Sequence, residues 1–197
     1  MKLFIKAFIA ATILTILYTM IPFSAECSSV SDEVFRLHIL ANSDSESDQS
    51  LKLKVRDAVL EYTEDLYENA DGVISAEKLT DENLQKIADT AKKVVEEQGY
   101  DYSVKAQIKE MYFDTRYYGN ITMPSGKYKA LRITIGKGEG HNWWCVMYPC
   151  VCVGVSTNYN SLKENTTDTE YSIMVNGEYE YQFKIVEIFQ KICSFFS

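Results

Sequence analysis

The apolar pattern of this chain changes period twice, and that change limits its architecture more than any single residue does. Between Val34 and Leu40, Phe35, Leu37 and Ile39 alternate with Arg36 and His38. A period of two belongs to a strand, and it sets the two basic side chains together on the face opposite the apolar ones. The next stretch, ANSDSESDQ, is dense in turn and capping residues. Ser45 or Ser47 can cap a helix whose first-turn acids suit the positive end of its dipole. Leu51, Val55, Ala58, Val59, Tyr62 and Leu66 then share one helical stripe, with Lys52, Arg56 and Glu64 off it, and Asp71-Gly72 ends the helix. A second helix is predicted to start near Ser75 or Thr80, with Leu84, Ile87, Ala91 and Val95 on its apolar face and Gly99 as its stop.

From Tyr100 the period returns to two. Tyr102, Val104, Ala106 and Ile108 alternate with Ser103, Lys105, Gln107 and Lys109. Gly119-Asn120 and Pro124-Ser125-Gly126 bracket a loop, Tyr128 to Ile135 reads as the next strand, and GKGEGHN leads to another at Trp143 to Met147. Strand, helix, helix and then strands predict an α+β two-layer sandwich. Its two central helices cover one face of a mainly antiparallel sheet, with an N-terminal export helix and a C-terminal helix added.

The first residues set the compartment. Lys2 and Lys6 form a short positive region, and Ala7 to Ile21 carry no charge before Pro22. That run is short for an ordinary span of roughly 20 residues and fits the apolar core of a signal peptide. Ala25 suits a cleavage site, whereas bulky Phe23 two residues before it opposes one. Residues 1–29 are therefore read as a signal peptide or an N-terminal anchor, with membrane contact only through residues 7–23 if uncleaved. Cys27 is not read as a lipidation site, because Glu26 precedes it. Removing residues 1–25 takes away two lysines and no acid, moving the net charge from −8 to −10. An acidic exported domain is not built for nucleic acid, whose affinity rests on clustered Lys and Arg.

The remaining organisation is an α+β domain over 30–153, a polar connection over 154–177 rich in Ser, Thr and Asn, and a helical segment over 178–197. No internal repeat or low-complexity tract occurs. Asn120 and Asn165 head glycosylation-type triplets, which are frequent by chance.

GKGEGHNWWCVMYPCVC concentrates the reactive side chains. His141, Cys145, Cys150 and Cys152 could supply four zinc ligands, but there is no CxxC pair and Pro149 stiffens the middle. Cys145 four residues from His141 could be a nucleophilic thiol, although no third orienting group is evident. In an exported protein, two of these cysteines can instead close a small disulfide loop around Tyr148-Pro149. Trp143 and Trp144 are expected on opposite faces of their strand. GKGEG lacks the frame of a phosphate loop, and SDSESD lacks the Gly and terminal Glu of a calcium loop. His38 beside Arg36 reads as a solvated or hydrogen-bonded surface residue. No metal, cofactor or catalytic residue is expected.

Three segments carry a family resemblance: FRLHILANSDSESDQSLKLKVRDAVLEY (35–62), GEGHNWWCVMYPCVC (138–152) and EYQFKIVEIFQK (180–191). Their sequence and order resemble the stage II sporulation protein R family. The resemblance implies a signalling protein rather than an enzyme, exported from the forespore into the space between forespore and mother-cell membranes. It implies as partner a membrane-embedded aspartic protease that processes pro-sigma-E. It also implies a Cys145–Cys152 pair, which keeps the family's two positions, while Cys150 departs from the family's Pro-Pro-x-Cys ending. Cys193 is unassigned. If the LANSDS and GHNWW turns lie at one end of the sheet, Arg36, Asn42, Asp44, His141, Asn142, Trp143 and Trp144 would form a partner-binding patch. The competing reading is an exported thiol-dependent enzyme or cell-wall hydrolase centred on His141 and Cys145.

Overall fold

In the computed structural model, the described residues are 1–149, 152–153, 156–157, 159–175 and 179–195. Helices are α1 (Lys2–Asp32), α2 (Glu46–Tyr67), α3 (Val73–Glu82), α4 (Leu84–Glu97), α5 (Tyr159–Glu164), α6 (Asp168–Val175) and α7 (Glu180–Phe195). Strands are β1 (Phe35–Leu40), β2 (Val104–Phe113), β3 (Arg116–Tyr118), β4 (Ile121–Met123), β5 (Gly126–Ile135), β6 (Asn142–Tyr148), β7 (Cys152–Val153) and β8 (Ser156–Thr157). The fold class is α+β.

Two compact units divide the chain. One comprises Met1–Ser31, Phe113–Gly126 and Asp168–Ser197; the other comprises Asp32–Tyr112 and Lys127–Thr167.

The larger unit holds a four-stranded sheet in the order β2-β5-β1-β6. β1 runs antiparallel to β6 and parallel to β5. The Gly136 N–H donates to the Ser103 carbonyl at 2.8 Å, so the end of β5 meets the start of β2 and those strands are antiparallel. The sheet is thus mixed, because the helices carry the chain back and the later β5 inserts beside β1. One face is apolar: Phe35, Leu37, Ile39, Leu131, Ile133, Cys145 and Met147 pack with Leu51, Val55 and Val59 of α2 and Ile87, Ala91 and Val95 of α4. Each buried Val, Leu or Ile contributes about 1.5–3 kcal/mol.

The second predicted helix is two. Asn83, with φ −115 and ψ 12, ends α3 and begins α4, and its Nδ2 donates to the Leu79 carbonyl at 2.9 Å. A short polar side chain that bonds the preceding turn competes with helix continuation. The chirally demanding stop at Gly99 is present as expected, with φ +82.

Burial corrects the reading of β1. All six of its residues are buried, including Arg36 and His38. Alternation assigns a side chain to a face but does not say whether that face is covered. Ala130 and Val146, the strand partners of Arg36, are buried as well.

In the smaller unit, the stretch between Gly119-Asn120 and Pro124-Ser125-Gly126, expected as a loop, contains β4, which pairs with β3 in a hairpin turning at Gly119-Asn120. α1 continues through Pro22 to Asp32. Among the described residues no helix is long and apolar enough to cross a membrane. The stretch 154–177, expected as a polar connection, contains α5 and α6. Leu162, Ile173 and Met174 give those short helices buried contacts that the polar composition around them masks.

Candidate functional site

The LANSDS and GHNWW turns lie at one end of the sheet. Leu40, the last residue of β1, pairs with Asn142, the first of β6. The chain beyond β1 must turn there, and Ser45 caps α2 by accepting from the Asp48 N–H at 3.2 Å. Ser43 and Asn42 donate to Asp48 Oδ2 at 2.6 and 2.9 Å, while Gln49 donates to the Ser43 carbonyl at 2.9 Å. Burial opposes ionisation of Asp48, but the hydrogen bonds from Ser43, Asn42, Tyr102 and Ser45 outweigh it and hold the carboxyl below its usual range.

The glycine-rich loop after β5 runs along this turn. The Gly140 N–H donates to the Ala41 carbonyl at 3.0 Å, and the Lys137 N–H donates to Asn42 Oδ1 at 3.1 Å. The glycines are required by the close approach: a Cβ on Gly140 would stand 2.2 Å from the Ser43 carbonyl oxygen. A Cβ on Gly136 would stand 2.3 Å from Asn42 Oδ1. GKGEG is therefore the partner of the LANSDS turn.

Asp44 closes the arrangement. Its Oδ1 accepts from both the backbone N–H and the Nδ1 of His141, each at 2.5 Å. Those bonds hold the Asp44 carboxyl below its usual range. Lys52 reaches the same loop from α2, donating to the His141 carbonyl at 2.9 Å and to Gln49 Oε1 at 2.5 Å. Lys52 is nearly fully buried, and this burial lowers its pKa against the pull of Asp44. By its spacing Lys52 lies off the apolar stripe of α2. Its one available signal was its place four residues after Asp48, one helical turn below the capped turn.

The seven predicted patch residues divide sharply. Asp44, His141 and Asn142 are exposed, and the His141 side chain is 81% accessible. Trp143 and Trp144 are half-buried on opposite faces, as expected. Trp143 packs on the helix-side core under the Arg56 guanidinium, which lies 4.4 Å from its ring centre. Trp144 stacks on His38 with centroids 3.9 Å apart and planes 1° from parallel. Asn42 is spent on holding the two turns together. Arg36 does not belong to a surface patch: it is fully buried, with its guanidinium 4.8 Å from the Tyr128 ring centre.

His38 is likewise not a surface histidine. Its Nε2 donates to Asn142 Oδ1 at 3.0 Å, and its Nδ1 has no hydrogen-bond partner among the described residues. Burial, reinforced by Arg132 and opposed by Asn142, pushes its pKa down to about 4, so the ring is neutral at pH 7.

Cys145 is fully buried in the helix-facing core, opposite Leu37, whereas His141 stands in solvent against Asp44. A thiol buried among aliphatic side chains is a poor nucleophile. Cys150 and the side chain of Cys152 lie outside the described residues. Among the described residues no group of three or more His, Cys, Asp or Glu side chains is placed to hold a metal. The exposed assembly thus offers a carboxylate, an imidazole, an amide and two aromatic edges on a tightly bonded frame. Those groups suit recognition.

Residues 31–158 match the family described as "Stage II sporulation protein R (spore_II_R)". The chain is 37% identical over 135 residues to a protein of Bacillus subtilis (strain 168) named "Stage II sporulation protein R". That alignment covers 68% of this chain and 60% of the relative's length. No solved structure matches the chain.

Proposed function

The chain belongs to the stage II sporulation protein R family and so has a sporulation role, and from that premise we propose that it is an exported signal between forespore and mother cell. It passes into the space between the two membranes and binds a membrane-embedded aspartic protease in the mother-cell membrane. Binding activates cleavage of pro-sigma-E. The protein acts as a ligand and performs no chemistry itself.

One observation carries this reading. The two longest family-like segments converge on a single exposed corner, with Asp44, His141 and Asn142 outward and Lys52, Asp48 and Asn42 bracing them from behind. A rigid polar corner beside half-exposed aromatic rings has the composition of a binding hot spot. The buried position of Cys145 weighs against the thiol-enzyme reading.

The test co-expresses the protein, the protease and pro-sigma-E in a non-sporulating host. His141→Ala and Asn142→Ala should each leave the protein folded and exported, yet reduce processing about tenfold, the scale of a hot-spot truncation above 1 kcal/mol. Normal processing in both variants sinks the corner as the docking surface. The same reading includes the Cys145–Cys152 disulfide, which peptide mapping of the untreated exported chain decides directly.

A further inference from the structure

α1 is two halves in one helix. Toward its start Leu3, Phe4, Phe8, Leu14 and Tyr18 stand exposed. Toward its end Phe23, Cys27 and Val30 recur at helical spacing and are buried. Phe23 and Cys27 belong to a core with Ile173 of α6 and Phe183 and Val186 of α7. The Phe23 ring stacks on Tyr179 at 5.5 Å and meets Phe183 at 5.3 Å, centre to centre. The Ser29 hydroxyl donates to Glu170 Oε1. The last third of the export segment is thus part of a folded unit.

Phe23 also sits two residues before Ala25, where cleavage of a signal peptide needs a small side chain. We infer that Phe23 keeps the end of the export helix in the mature protein, because the ring that completes this core also denies signal peptidase a cut after Ala25. The inference rests on the export reading and adds what that reading leaves open, the form in which the signal arrives. A cut after Ala25 would remove the ring and leave Tyr179, Phe183 and Ile173 around a void. Cys27 and Val30, buried in the same folded unit, are likewise withheld from a cut after Cys27, so the exported chain begins at or before residue 23.

Mass spectrometry of the exported fraction tests this with three chains. Wild type and Phe23→Leu, which keeps a bulky apolar side chain, should both start at or before residue 23. Phe23→Ala creates Ala-Ser-Ala ahead of Glu26. It should be cut after Ala25 and accumulate several-fold less, as a destabilised unit does. A wild-type start after residue 23 overturns the inference, as does uncut Phe23→Ala at wild-type level. A chain that is never exported sinks the export reading instead. The structural half of the inference, Phe23 completing a core with α6 and α7, is then decided on the full-length protein by limited proteolysis within residues 168–195. Phe23→Ala must be cut there faster than Phe23→Leu, and equal rates overturn it.

Discussion

A single carboxylate oxygen, Asp44 Oδ1, receives both the backbone N–H and the imidazole Nδ1 of His141, 97 positions away in sequence. This contact joins the turn after β1 to the turn before β6 at the exposed end of the sheet. Because Asp44 is ionised in that contact, its carboxyl is held below the usual range, first by the His141 side chain and then by its backbone N–H. Any stability it contributes is present above the ordinary carboxylate range and is lost as pH falls through its lowered pKa. In His141→Ala the Asp44 midpoint, followed by carboxyl NMR, should move back up toward its ordinary value. An unchanged midpoint would show that the contact is not formed in solution.

His38 gives the opposite kind of titration. It is neutral in the fold, with its pKa pushed down from 6.5 to about 4, chiefly by burial. The unfolded chain binds a proton as pH falls through about 6.5, whereas the folded chain waits until about 4. Stability from this group is therefore complete above pH 6.5 and declines by about 3 kcal/mol as pH falls to 4. His38→Gln should flatten urea-denaturation stability across that window. A slope equal to wild type refutes the buried neutral ring.

Gly140 tests the close approach of the two turns. Gly140→Ala puts a methyl against the Ser43 backbone, which has no flexible end to yield, and should cost about 2 kcal/mol or more in chemical denaturation. Gly99→Ala meets nothing within 4 Å and strains only its positive φ, so about 1 kcal/mol is expected. Equal losses would mean that the approach at Gly140 is looser than described.

Cys27 should be chemically silent. It is buried, and burial followed by the nearby Glu26 pushes its thiol pKa up to about 12. Since thiolate is the reactive form, iodoacetamide at pH 8 should label Cys27 only after unfolding in urea. Rapid labelling of the native chain would place α1 outside the core it shares with α6 and α7.

Local pattern made most elements legible. Alternation located β1, the bracketing turn residues located β5 and β6, each to within a residue or two, and the Leu51, Val55, Val59 stripe located α2. It failed at Asn83, where one side chain bonding its preceding turn splits a helix that apolar spacing alone would continue. The convergence of the two turns was legible as a possibility, since both sets of residues stood at strand ends. Which of them face solvent was not. Arg36 and His38 alternate as surface residues would, yet both are buried.

What the sequence by itself determined is the order of elements, the acidic balance, the export-like start and the likeness of three segments to one family. These follow from local spacing, charge and side-chain identity. Only the tertiary structure decided that Asp44 meets His141, that Lys52 braces the loop from α2, and that Phe23 belongs to a core. The reason is physical: periodicity assigns each side chain a face, but burial and pairing depend on what distant segments bring to it. The insertion of β5 beside β1 and the packing of α1 with α6 and α7 are set by the whole chain.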